Sequence, residues 1–130
     1  MTQEEKQLLL VDLCARLPYG VMCHVNEINL DGELLFINKV YNIVALYNDK
    51  AVGKFDTCPI ADVKPYLRLL SSMTEEEMKE YYDGCYTNVI NLFSIPNPKK
   101  MDWLNAHHFD YRGLIEKGLA LEAPEGMYNN

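Results

Sequence analysis

A chain of 130 residues with 48% hydrophobic side chains has the size of one ordinary domain and the apolar content for a single core, so one domain over 1–130 is expected. The formal charge of −7, from 12 Lys and Arg against 19 Asp and Glu, repels phosphate backbones and anionic membranes, and the scattered basic residues, of which only Lys99 and Lys100 adjoin, argue against a nucleic-acid partner. No apolar run approaches the ~20 residues of a membrane span, and the start MTQEEK is acidic where a secretory signal is basic, so no membrane association and a cytoplasmic location are expected.

The elements are predicted in chain order. Thr2 and Glu5 have the spacing of a capping box, and Leu9, Leu10, Leu13, Ala15 and Leu17 continue as an apolar stripe until Pro18 and Gly20, which predicts a helix within 1–19. From Gly20 the period shifts to two: Val21, Cys23 and Val25 alternate with Met22, His24 and Asn26. Asp31-Gly32 reads as a hairpin turn, followed by strands around Leu34 to Asn38 and Val40 to Tyr47, a turn at Asn48-Asp49-Lys50 and a weaker strand from Ala51 to Phe55. The antiparallel strands thus fall within 20–57. A connector over 58–73 follows, with Pro65 at a tight turn or a first helical position.

A helical part is predicted over 74–123. Thr74 and Glu77 form a second capping box, Gly84 interrupts the helix, and Ile95-Pro96-Asn97-Pro98 ends its continuation through Val89 and Phe93. Asp102 is expected to cap a short helix through His108, and Asp110 another from Tyr111 to Lys117, closed by Gly118 in a Schellman ending with Leu119 against Leu114. The tail 124–130 is expected to fray. The fold class is therefore α+β: an N-terminal helix, a small antiparallel β meander, closing as a twisted sheet or an SH3-like barrel, and C-terminal helices.

The chemistry-bearing residues gather between Trp103 and Arg112, where the only tryptophan stands near two adjacent histidines, an acid, a tyrosine and an arginine. Trp103, His107, His108, Asp110, Tyr111 and Arg112 are the candidate site. Adjacent histidines diverge by about 100° on a helix, so they chelate poorly together. Cys14, Cys23, Cys58 and Cys85 stand at least nine positions apart, so no paired thiolates are offered to zinc and buried reduced thiols are expected. Neither a metal nor a cofactor is implied. His107 or His108 with Asp110 could act as an acid–base pair, but no nucleophile accompanies it: Ser71 and Ser72 lack an elbow, and Cys23 and His24 face opposite sides of a strand. LIEKGLALEA resembles the last helix and following strand of winged-helix proteins over ten residues, yet Asp110 and Glu116 offset Arg112 and Lys117.

Three phrases, EEKQLLLVDLCARLPYGV, DVKPYLRLLSSMTEEEMKEYY and DWLNAHHFDYRGLIEKGLALEAPEGMY, resemble a group of small uncharacterised proteins of gut Bacteroides genomes and their phages. That group commonly has proline where Leu69 stands and varies most between Gly20 and Asp62. The resemblance implies an accessory protein of a phage or mobile element and no particular activity. Two functions follow from the residues: a non-enzymatic binding or adaptor module whose partner is a protein, with Trp103, His107, Tyr111 and Arg112 on an exposed patch, and a small enzyme using His107 or His108 with Asp110. The residues set no oligomeric state.

Overall fold

The computed structural model describes residues 1–48, 55–83 and 98–128, with Phe55, Asp56 and Asp83 described through the backbone only. Helix α1 spans Gln3–Arg16. The Glu5 N–H donates to Thr2 Oγ1 at 3.0 Å and the Thr2 N–H to Glu5 Oε1 at 2.8 Å, which completes the capping box and holds the Glu5 carboxyl below its ordinary range. Leu9, Leu10 and Leu13 face the core as the stripe requires, and Asp12 and Arg16 lie on that same buried side. A 3-10 turn at Leu17–Tyr19 and Gly20 at φ +69° end the helix.

Strand β1, Met22–Val25, continues the inward alternation of Val21, Cys23 and Val25, which are 0%, 0% and 1% exposed. The reversal expected at Asp31-Gly32 lies instead at residues 26–29, where Asn29 takes φ +50°. Asp31 and Gly32 belong to β2, Leu30–Asn38, opposite His24 and Cys23. A Cβ on Gly32 would stand 2.8 Å from the Tyr47 carbonyl oxygen and 3.0 Å from Leu46 Cβ, so the glycine serves the close approach of β3 rather than a turn. The next reversal takes Val40 out of the strand expected to begin there. Asn38 Oδ1 accepts the Val40 and Tyr41 N–H groups at 3.0 and 3.2 Å, Asn42 adopts φ +54°, and β3 runs over Ile43–Tyr47. Asp49, Lys50 and the strand expected over residues 51–54 lie outside the described residues; β4 spans Phe55–Pro59.

The expected connector is a strand. In β5, Val63–Leu69, the side chains of Val63, Pro65 and Leu67 point inward, and the strand pairs antiparallel with β1 through Val25–Val63, His24–Lys64 and Cys23–Pro65. Asn26 N–H donates to the Asp62 carbonyl at 3.1 Å, so the hydrogen-bonded rungs fall at 62 and 64 and the Pro65 nitrogen faces away from β1. Proline therefore costs this ladder nothing on that side.

Helix α2, Glu75–Asp83, begins at the second capping box, with Thr74 N–H to Glu77 Oε1 at 3.0 Å and Glu77 N–H to Thr74 Oγ1 at 3.1 Å. Gly84, Cys85, the stretch through Val89 and Phe93, and Ile95-Pro96-Asn97 lie outside the described residues. Helix α3 is Pro98–Ala106, opening on a proline whose missing N–H would be unpaired there; Asp102 sits in mid-helix rather than capping, and the helix ends before His108. Strand β6, Phe109–Asp110, follows. The helix expected over Tyr111 to Lys117 reduces to one turn because Gly113, at φ +74°, breaks the helical path. Its ends match the expected chemistry: the Asp110 carboxylate accepts the Leu114 and Ile115 N–H groups, each at 3.0 Å, and Gly118 at φ +76° closes a Schellman pair, Leu119 N–H to Leu114 O at 2.9 Å and Gly118 N–H to Ile115 O at 3.1 Å. Strand β7 is Leu121–Glu122.

The strands form one open mixed sheet in the order β4-β3-β2-β1-β5-β6, with β7 also on β5, and β6 and β7 pair with β5 in parallel. It is neither purely antiparallel nor closed as an SH3-like barrel. Helix α1 lays Leu9 and Leu13 on Val21, Leu34, Val44, Leu46, Val63 and Leu67, joined by Leu114 and Leu119. The tail is held rather than frayed through residue 128. The Tyr128 hydroxyl accepts the Met22 N–H at 2.8 Å and donates to the Tyr66 carbonyl at 2.8 Å, occupying the place of the next direct β1–β5 rung. No helix among the described residues is long and apolar enough to cross a membrane.

Candidate functional site

The six predicted residues occupy the end of α3, β6 and the turn beyond, where they split into two clusters, a separate cap at Asp110, and His108, which turns toward Tyr128. In the first cluster the Trp103 ring stacks on His107 at 3.9 Å and lies 5.8 Å from Phe109 and 5.3 Å from Tyr81, while its Nε1–H donates to Glu80 at 3.0 Å. His107 Nδ1–H donates at 2.9 Å to the Trp103 carbonyl, which also accepts the His107 backbone N–H at 3.0 Å. Trp103 thus ties α3 to α2 and β6. His108 turns the other way: its backbone takes the left-handed φ of +64° that ends the helix, and its ring stacks on Tyr128 at 3.7 Å. Its Nδ1 is buried with no hydrogen-bond partner among the described residues, and burial, then the Arg16 charge, lowers the imidazole pKa to about 4.

The second cluster centres on Asp12, a residue that sequence reasoning missed. Its carboxylate, fully buried, accepts Arg16 Nε at 2.8 Å and Arg112 Nη1 at 2.7 Å. Arg16, also fully buried, donates through Nη2 to the Phe109 carbonyl at 2.6 Å. Tyr111 lies with its ring 5.4 Å from the Arg16 guanidinium carbon and 4.6 Å from that of Arg112, and its hydroxyl donates to Asn105 Oδ1 at 2.8 Å. Arg112 and Tyr111 therefore clamp the C-terminal part onto α1. The sequence carried the signal: Asp12 and Arg16 stand at helical spacing from Leu9 and Leu13, on the face that must be buried.

Asp110 makes no hydrogen bond to His107 or His108; its two oxygens accept the Leu114 and Ile115 amides instead. A histidine–carboxylate pair does form on the sheet's other face: His24 Nδ1 lies 2.7 Å from Asp31 Oδ1, and the Tyr66 hydroxyl donates to the same oxygen at 2.8 Å. Burial, then that carboxylate, raises the Tyr66 pKa to about 12. It follows from the register that sets Asp31 opposite His24, which the turn expected at Asp31-Gly32 concealed.

A cleft of about 570 Å³ opens between the end of β5, the start of α2 and the strap after β7, lined by Arg68, Ser72, Thr74, Glu77, Glu122 and Tyr128 among others. Its one guanidinium is held by Glu77 through two 2.7 Å bonds, and these bonds lower the Glu77 pKa to about 2. Among the described residues no three His, Cys, Asp or Glu side chains are grouped to hold a metal ion.

The two most exposed large apolar side chains among the described residues sit elsewhere, on the β2–β3 hairpin, Val40 at 82% and Tyr41 at 72%; Phe36 and Tyr47 of the same hairpin are 50% and 40% exposed, and Ile28 in the preceding turn is 54% exposed. Phe36 lies across from Ala45 and next but one to Tyr47 on the face away from α1, and Val40 and Tyr41 form the turn closing the same hairpin. Comparison with protein-family models, curated proteins and solved structures gives no match.

Proposed function

We propose that the chain is a non-enzymatic binding or adaptor module that holds a protein partner through the β2–β3 hairpin, with Tyr41, Phe36 and Val40 as the anchoring side chains. The observation that carries this is the gathering of four apolar residues, 40% to 82% exposed, on one hairpin, among them the two most exposed large apolar side chains of the described residues. Tyrosine and phenylalanine desolvated in a partner's pocket contribute disproportionately to binding, and exposed contiguous apolar surface marks such sites. The 103–112 residues enter this account as supports: Trp103, Tyr111 and Arg112 hold the helices and α1 together and keep the sheet rigid behind the hairpin. An accessory role in a phage or mobile element, exercised in the cytoplasm with Cys14 and Cys23 as reduced thiols, completes the proposal.

A photo-crosslinking residue placed at Tyr41 or at Trp103 tests it in a Bacteroides extract. The proposal expects one discrete protein adduct from position 41 that Phe36→Ser abolishes, and none from position 103. An adduct from position 103 alone would overturn it.

A further inference from the structure

Residues 124–128 are held differently from the chain before them. Up to Ala123 the C-terminal part is built into the sheet: β7 pairs with β5, and Ala123 N–H donates to the Leu67 carbonyl at 2.7 Å. Beyond it Pro124 has no N–H to offer, Met127 N–H turns back to the Pro124 carbonyl at 3.1 Å, Gly126 takes φ +87°, and Pro124, Glu125 and Gly126 are exposed. Among the described residues the hydrogen bonds from this strap to the body are those of the Tyr128 hydroxyl, to the Met22 backbone and the Tyr66 carbonyl, and its ring lies on His108 at 3.7 Å. The His108 side chain under that ring is nearly closed to water, and two arginines are fastened to its stretch of backbone. Arg16 Nη2 donates to the Phe109 carbonyl at 2.6 Å; Arg68 N–H donates to the His108 carbonyl at 2.8 Å, with its guanidinium carbon 4.2 Å from the Phe109 ring centre.

We infer that the strap is a latch, hinged at Pro124, that opens as a unit while the rest of the fold stays closed, and that a proton on His108 releases it. The charged and titratable groups around the imidazole are Arg16 of α1, itself paired with Asp12, Arg68 of β5, paired with Glu77 of α2, His107 at the end of α3, and Tyr128 on the strap. A proton adds positive charge beside both arginines and leaves the buried Nδ1 with a hydrogen to place inside the fold. Lifting Tyr128 lets water reach the ring, so protonation and opening favour each other. An open latch takes away the wall of the cleft that Pro124, Glu125, Gly126 and Tyr128 form, and it bares the Met22 N–H and the Tyr66 carbonyl. The cleft is therefore complete only with the latch down, and the β2–β3 hairpin takes no part in this device. With His108 lowered to about 4 from 6.5, the closed latch is favoured above pH 6.5 and loses that preference as pH falls toward 4. A ring returned fully to water would make opening about 50-fold easier at pH 4.5 than at pH 7. With both arginines still nearby, at least tenfold is expected.

Amide exchange of the full chain at pH 7 and pH 4.5, corrected for intrinsic rates and repeated in sub-denaturing urea, tests the latch. The Met22 amide should open at least tenfold more at the lower pH and respond little to urea, because lifting the strap exposes little surface. The Leu34 amide, bonded to the Val21 carbonyl at 2.9 Å within the core, should stay far better protected and respond strongly to urea. His108→Asn should flatten the pH dependence at Met22, which separates the histidine from carboxylates titrating in the same range. Tyr128→Ala, which lifts the cover, should raise the proton affinity of His108 at least tenfold when its ring is titrated by NMR. A Met22 amide with the protection and urea response of Leu34, a pH dependence that His108→Asn leaves intact, or a His108 titration unmoved by Tyr128→Ala would each overturn the inference. If His108→Asn fails to fold, the wild-type comparison of Met22 with Leu34 and the Tyr128→Ala titration decide.

Discussion

Replacing Asp12 with alanine should be among the most damaging single changes in this protein. Asp12 and Arg16 are both fully buried, and one carboxylate answers Arg16 at 2.8 Å and Arg112 at 2.7 Å. Its removal leaves the Arg16 guanidinium in the interior with the Phe109 carbonyl as its one hydrogen-bond acceptor among the described residues. Breaking a buried pair in this way costs about 3–5 kcal/mol, against the roughly 5–15 kcal/mol that holds a whole domain together. At about 3–4 °C per kcal/mol for a domain of this size, the melting temperature should fall by about 9–20 °C. Urea unfolding followed by Trp103 fluorescence reads the change directly, because that ring is stacked within the adjoining cluster. The double variant Asp12→Leu with Arg16→Met supplies the second measurement. It removes both buried charges, leaves Arg112, 17% exposed, to return to water, and forfeits chiefly the bond to Phe109, so it should cost only about 1–3 kcal/mol, less than Asp12→Ala alone. A loss below about 1 kcal/mol for Asp12→Ala, or a double variant worse than the single one, would refute the buried network as the clamp between α1 and the C-terminal part.

His108 is held near pKa 4 in the fold against an ordinary value of 6.5, so the folded state favours its neutral form and its contribution is complete above pH 6.5 and lost as pH falls toward 4; after discount for its residual solvent contact this amounts to about 2 kcal/mol, which His108→Asn, tolerant of the same positive φ, should remove from the pH profile of urea stability. Glu77, lowered to about 2, contributes in a separate window, present above its ordinary 4.5 and lost as pH falls toward 2, and Arg68→Met should flatten that limb. Tyr128→Phe keeps the stack on His108 but removes the hydroxyl between Met22 N–H and Tyr66 C=O, so a loss of about 1–3 kcal/mol and faster exchange of the Met22 amide are expected; unchanged exchange would contradict the inserted hydroxyl. Gly32→Ala should cost about 1–3 kcal/mol because the added carbon meets the Tyr47 carbonyl, while Asn29→Gly, at the actual turn, should be tolerated within a few tenths; the opposite ranking would restore the turn to Asp31-Gly32.

Local chemistry was legible wherever its partners lie within a few residues. Thr2 with Glu5, Thr74 with Glu77, the alternation of Val21, Cys23 and Val25, and the closure at Gly118 all appear as the residues predict. Features set by distant neighbours were not legible. Pro65 disguised β5 because whether a proline fits a strand depends on which side its nitrogen faces, and that is settled by the register with β1. Asp31-Gly32 has the composition of a turn, but its glycine answers to β3 packing against it. In the candidate site the residue types were visible as a cluster, while their division was not: the partners of Trp103 and Arg112 are Glu80 and Asp12, 23 and 100 positions away. Charges on an apolar helix face ordinarily turn to water; inside this fold Asp12 and Arg16 answer each other, and their remaining partners, Arg112 and the Phe109 carbonyl, come from the far end of the chain.

The most direct test of the binding account is amide hydrogen exchange on the protein alone and on its complex with the captured partner. The account predicts new protection over residues 36–47 and none over 103–112. Protection confined to 103–112, or to the cleft beside Arg68 and Glu122, would contradict it.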